Sequence, residues 1–145
     1  MAVTWQEHVE ALARLLRALS ARDRNGVESP VQEAFDRWCE WTLELRARRR
    51  AIYLVGNGAS ASMASHFAAD LAKNGHLHTE VFSDLSLITA LSNDIGYESV
   101  FAEPLARRAE AGDHLVAISS SGRSPNVLAA VRVARERGLR VITLS

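Results

Sequence analysis

The sequence predicts an α/β fold: a three-layer α/β/α domain around a central parallel sheet, preceded by an N-terminal helical hairpin. Three observations carry that expectation. Short apolar runs (Ala51 to Val55, Leu115 to Ile118 and Arg140 to Leu144) alternate with amphipathic stretches at helical spacing. That alternation is the mark of βα units, whose parallel sheet is covered on both faces. The first two runs each lead into a tight polar turn, Gly56 to Ser60 and Ser119 to Ser124, where a strand would hand over to a helix. Residues 1–50 carry helix signals separated by one polar turn.

Composition bounds the possibilities. The chain has 145 residues, enough for one core that buries roughly two-thirds of the unfolded surface. Its 17 basic and 17 acidic residues give a formal net charge of +0, so charge offers no case for nucleic acid or an anionic membrane as partner. The single cysteine, Cys39, excludes an internal disulfide and fits a reducing compartment. No apolar run approaches the ~20 residues of a membrane-spanning helix. The N-terminus lacks the basic and apolar regions of a signal peptide. A cytoplasmic domain is expected.

The elements follow in order. Thr4 to about Ala21 reads as an amphipathic helix, with Trp5, Val9, Leu12, Leu15, Leu16 and Leu19 on one stripe. Thr4 and Glu7 have capping-box spacing. Arg22 to Glu28, with Asn25-Gly26, is a polar turn. A second helix begins at Ser29-Pro30, where Gln32 suggests another capping box, and closes on Arg46, Arg48, Arg49 and Arg50. That basic run complements a helix dipole and is read as a solvated end. Residues 1–50 therefore form the hairpin and residues 51–145 the α/β domain.

In the second part, Ala51 to Val55 is a strand, and Ser60 to about Lys73 a helix ended by Asn74-Gly75. Glu80 to Phe82 is expected as a short strand and Leu87 to Leu91 as another, followed by a Ser92-to-Gly96 loop. Tyr97 to Ala111 is helical, with Pro104 dividing or kinking it. Leu115 to Ile118 is a strand, Ser124 to about Arg137 a helix ended by Gly138, and Arg140 to Leu144 a last strand. Ligands of such folds bind beyond the carboxyl ends of the strands. Three polar loops are expected there: Gly56 to Ser60, Ser92 to Gly96, and Ser119 to Ser124.

The stretch Ile118-Ser119-Ser120-Ser121-Gly122-Arg123-Ser124-Pro125-Asn126 organises the chain. Ser124 suits an N-cap and Pro125 the first helical position. Free N–H groups at a helix start, with serine hydroxyls and a possible Arg123 contact, suit a phosphate monoester. The plainer reading is a capped βα turn with incidental serines. The first loop, G-N-G-A-S-A, fits a loose dinucleotide pattern with Glu80 downstream, but that pattern is weak alone. His66 and Asp70, at i and i+4, share a helix face and could bind one metal ion or share one proton. By spacing alone, a surface pair supporting the helix is the preferred reading.

Taken together, the motifs Gly56-Asn57-Gly58-Ala59-Ser60, His66-Phe67-Ala68-Ala69-Asp70, Ser92-Asn93-Asp94-Ile95-Gly96 and Ile118-to-Ser124 resemble those of the sugar-isomerase (SIS) domain family, in register along the chain. The branch they resemble is phosphoheptose isomerase, which interconverts sedoheptulose 7-phosphate and a glycero-manno-heptose 7-phosphate. The resemblance implies a flavodoxin-like fold, a sugar phosphate substrate, and a homotetramer whose N-terminal helices pack between subunits. It implies that Ser119, Ser120, Ser121 and Ser124 hold the phosphate. It places Asn57, Gly58, Ser60, Asn93 and Asp94 near the sugar. His66 matches a zinc ligand. Asp70 stands where the family typically has glutamate, as zinc ligand and catalytic acid/base. Arg123 stands where the branch often has Asn. The family's remaining Gln and His site residues match nothing here, so a C-terminal segment beyond Ser145 is expected. The alternative is a non-catalytic SIS module that binds a phosphosugar, or a protein partner such as the bacterial replication initiator.

Overall fold

The computed structural model describes residues 3–145, which divide into two units between Thr42 and Leu43. In the first unit, helix α1 (Trp5–Arg17) begins with the expected capping box. The Thr4 side chain accepts from the Glu7 N–H, and the Glu7 carboxylate accepts from the Thr4 N–H. The helix ends at Arg17, short of the expected Ala21. Ala21 and Arg22 (β1) instead pair antiparallel with Glu28 and Ser29 (β2), so the polar turn is a small β-hairpin. Asp23 closes its loop by accepting from the Asn25 and Val27 N–H groups. Helix α2 (Val31–Ala47) follows Pro30, and the Gln32 amide donates forward to Asp36.

In the second unit, β3 (Ala51–Gly56) leads to α3 (Ala59–Gly75) and β4 (His78–Val81). Helix α4 (Leu85–Asp94), a 3₁₀ turn (Tyr97–Ser99) and α5 (Ala102–Arg108) follow. Then come β5 (His114–Ile118), α6 (Pro125–Glu136) and β6 (Arg140–Leu144). The four longer strands form one parallel sheet in the order β4-β3-β5-β6. β3 and β5 are buried along their length and, apart from His114 at the start of β5, apolar, as expected for central strands covered on both faces. Ala51, Tyr53, Val55, Leu115 and Ala117 pack on one face with residues of α5 and α6, including Leu105, Val127, Ala130 and Ala134. Helix α3 packs on β3 and β4, with Ala64 and Ala68 buried. Three layers result.

One expectation fails outright. Leu87 to Leu91 is helix, inside α4, and not a strand. Asp84 caps it, its Oδ1 accepting from the Leu87 N–H at 2.9 Å. Ile88 and Leu91, one turn apart, both pack against the core. The short apolar run satisfied either period, and the cap decides it. Asn93 and Asp94 consequently sit in the last turn of α4, not in an open loop.

Two smaller corrections concern punctuation. Gly75 is the last residue of α3, while His76 takes the left-handed cap conformation at φ 53°. A Cβ on Gly75 would stand 3.2 Å from the Leu77 side chain, so the glycine provides room for Leu77 to fold back. Pro104 lies in the first turn of α5, where its missing N–H leaves no gap, and the segment divides before it, at Val100 and Phe101.

Candidate active site

The chain passes from β3 through α3 to β4 on one side, then returns to place β5 on the other side of β3. The strand order therefore reverses between β3 and β5, and the crevice outside their carboxyl ends is where such sheets take ligands. The residues after Gly56 and after Ile118 face this crevice from adjacent strands, since Gly56 and Ile118 are paired in register.

The first loop is shaped by two glycines. A Cβ on Gly56 would lie 2.8 Å from the Ser60 backbone, so only glycine permits the loop to close this tightly. Gly58 adopts φ 55°, which side chains resist. The turn lets the Ser60 N–H donate to the Asn57 carbonyl.

The second loop is held by few of its own donors. The Ser119 N–H donates to Leu144, the Gly122 N–H to Ser119 and the Arg123 N–H to Ser121 Oγ. Gly122 turns the chain at φ 61°. Among the described residues, the N–H groups of Ser120, Ser121, Ser124 and Asn126 have no protein acceptor. Ser124 occupies the N-cap of α6 and Pro125 its first position, as expected, yet the Ser124 hydroxyl does not cap the helix. It stands 3.5 Å from the Ser119 hydroxyl instead. Four open N–H groups and the hydroxyls beside them, at the start of a 12-residue helix, suit an anion with several acceptor oxygens.

The loops meet through side chains. Asn57 and Asn126 exchange two hydrogen bonds, at 2.9 and 2.8 Å, and the Tyr97 hydroxyl donates to Asn57 Oδ1 at 3.1 Å. Tyr97 follows closely on Asp94, whose carboxylate accepts from Asn93 Nδ2 at 2.8 Å. The β3–α3 loop is thus linked to the start of α6 and to Tyr97, which directly follows the third predicted loop. Asn126 and Tyr97 were not singled out by sequence reasoning. The available signal was a carboxamide just inside the helix that follows the serine loop.

The matching family model is described as SIS domain and covers residues 7–145. The chain belongs to the SIS domain family. It is 38% identical to a phosphoheptose isomerase of Neisseria gonorrhoeae over 98% of this chain and 73% of that one. A phosphoheptose isomerase of Bradyrhizobium is 36% identical, over 88% of this chain and 68% of its own length. The solved structure of phosphoheptose isomerase from Neisseria gonorrhoeae superposes with a TM-score of 0.67 at 37% identity, covering 97% of this chain and 74% of that one.

In this SIS domain His66 and Asp70 lie on α3 with Nε2 and Oδ2 3.4 Å apart, their side chains 82% and 54% exposed. Along α3, His66 lies six residues beyond Ser60 and Asp70 ten, about 9 and 15 Å of rise. Zinc takes three or four such donors. Among the described residues no third His, Cys, Asp or Glu joins this pair. The described residues do not fit a zinc ion by themselves, and no step is assigned to one. No described helix is long and apolar enough to cross a membrane.

Proposed function

We propose that this SIS domain is a phosphosugar aldose–ketose isomerase acting on sedoheptulose 7-phosphate to give D-glycero-D-manno-heptose 7-phosphate. The observation that carries the reading is the serine loop, with four unpartnered N–H groups beside the paired hydroxyls of Ser119 and Ser124. Similarity to phosphoheptose isomerases over nearly the whole chain supports the substrate.

The ketose carries its carbonyl at C2 and its phosphate at C7. Ser119, Ser120, Ser121 and Ser124 anchor the phosphate, which fixes the far end of the chain. Asn57, Gly58, Ser60, Asn93 and Asp94 line the path of the hydroxyls. The Asp70 carboxylate removes a proton from C1 to leave an enediolate, the O1 hydroxyl proton passes to O2, and Asp70 returns its proton to C2 to give the aldose. His66, in contact with Asp70, is positioned to steady the oxygens of that enediolate.

The protein is proposed to work in the cytoplasm as a homotetramer in which another copy covers α1. Trp5, Leu12, Leu15 and Leu16 are 81%, 59%, 69% and 67% exposed, an apolar face that water alone would leave costly. A second reading, a phosphosugar-binding module without turnover, is favoured by the openness of His66 and Asp70. Incubation with sedoheptulose 7-phosphate, followed by NMR, separates the two. Conversion of the phosphate ester, with none of unphosphorylated sedoheptulose, supports the isomerase. Protection against thermal unfolding by the phosphate ester without conversion supports the module.

A further inference from the structure

We propose that Asn126 is a positioning residue for this site: through its carboxamide it fixes Asn57, and with Asn57 the β3–α3 loop, against the serine loop. The inference rests on the sugar-phosphate reading above.

Asn126 is the second residue of α6 and only 2% exposed. A carboxamide this deep must find partners, and each of its bonds has a defined direction. Its Oδ1 accepts from the Val127 N–H at 2.9 Å. That backbone donor fixes which end of the amide is oxygen. The same Oδ1 accepts from Asn57 Nδ2, and Asn126 Nδ2 donates to Asn57 Oδ1. Asn57 Oδ1 also accepts from Tyr97 Oη.

The pair joins residues 69 apart in sequence, one on the β3–α3 loop and one in the first turn of α6. Asn57 precedes the left-handed Gly58, so holding its side chain holds the turn into α3, the helix that carries His66 and Asp70. A cavity of about 200 Å³ is lined in part by Asn57, Gly58, Ser65, Phe82 and Tyr97 and by no serine-loop residue. The amide pair therefore ties the loop that lines this cavity to the first turn of α6, directly after the phosphate loop. A ligand that is only a phosphate needs the serine loop alone. A ligand with a hydroxylated chain needs both loops in fixed register.

The test compares inorganic phosphate with sedoheptulose 7-phosphate in calorimetric titrations of the full chain. Asn126→Ala is expected to weaken sugar-phosphate binding about tenfold, the value of one to two hydrogen bonds, and phosphate binding less than about twofold. In an Asn57→Ala background the same substitution adds nothing further, because it acts through Asn57. Should Asn126→Ala fail to fold, Tyr97→Phe removes one bond from Asn57 without touching the serine loop. It is expected to weaken sugar-phosphate binding about threefold and leave phosphate binding unchanged. Wild-type preference for the sugar phosphate that survives intact in the folded variant, or a full additional loss in the Asn57→Ala background, overturns the inference alone. A wild-type chain with no preference for the sugar phosphate overturns both the sugar-phosphate reading and the inference built on it.

Discussion

Ser119 Oγ and Ser124 Oγ stand 3.5 Å apart, at opposite ends of a loop in which the Ser120 and Ser121 N–H groups have no protein acceptor among the described residues. Ser119 is buried and Ser124 half-buried, so both hydroxyls are pre-oriented before any ligand arrives. The Ser121 hydroxyl already accepts from the Arg123 N–H and keeps its own proton to donate. Substituting Ser119 and Ser121 together by Ala is expected to raise KM for the sugar phosphate by about tenfold per hydroxyl, with kcat little changed. Steady-state kinetics over a range of substrate concentrations check this, and an unchanged KM removes the phosphate assignment.

The close approach at Gly56 gives a stability prediction. A methyl group there would press on the Ser60 backbone and Cβ at 2.8 Å, atoms that cannot swing aside as the end of a flexible side chain could. Gly56→Ala is expected to cost about 1–3 kcal/mol through displacement of the β3–α3 turn. Thermal unfolding measures the loss, and sugar-phosphate affinity is expected to fall with it.

Much of this was legible in the sequence, and the exceptions share a cause. The strands β3, β5 and β6, the capping box at Thr4, the start of α6 at Ser124-Pro125, and the glycine turn after β3 rest on local chemistry that adjacent residues spell out. Leu87 to Leu91 did not read correctly because five apolar-rich residues satisfy a strand and a helix equally, and the deciding group, Asp84, lies outside the run. The link from Asn57 to Asn126 was illegible for another reason: it depends on the pairing of Gly56 with Ile118, a tertiary fact. His66 and Asp70 were legible from their spacing as a surface pair on one helix face, and they stand exposed 3.4 Å apart.

Asp113 is a buried carboxylate that composition did not mark. Its Oδ1 accepts from the Ala51 N–H at 2.9 Å and its Oδ2 from the Glu110 N–H at 2.8 Å, tying the start of β3 to the turn before β5. Asp113→Ala leaves both donors without an acceptor and is expected to destabilise the domain by about 2–3 kcal/mol. Asp113→Asn keeps one acceptor oxygen and is expected to lose less. Denaturant unfolding of the two variants tests the order.

His114, the first residue of β5, is 1% exposed, and its Nδ1 has no hydrogen-bond partner among the described residues. Burial, and then Arg140 on β6, depress its pKa to about 4, while Asp113 and Glu44 act against them. In the unfolded chain the imidazole returns to about 6.5 and takes up a proton more readily. Stability is therefore full above about pH 6.5 and falls as the pH drops towards 4, by about 3 kcal/mol over the window. Unfolding free energies across that window are expected to flatten in His114→Leu. A wild-type profile as flat as the variant's contradicts the burial of a neutral imidazole.

The central claim is that Asp70 moves a proton between adjacent carbons of a sugar phosphate held by the serine loop. The most direct test is NMR-monitored conversion of sedoheptulose 7-phosphate by the full chain and by Asp70→Ala, with binding of the ligand measured in parallel. The account predicts conversion by the wild type and a loss of about 10²-fold or more in Asp70→Ala, with affinity retained. Conversion that persists at the wild-type rate in Asp70→Ala would contradict it.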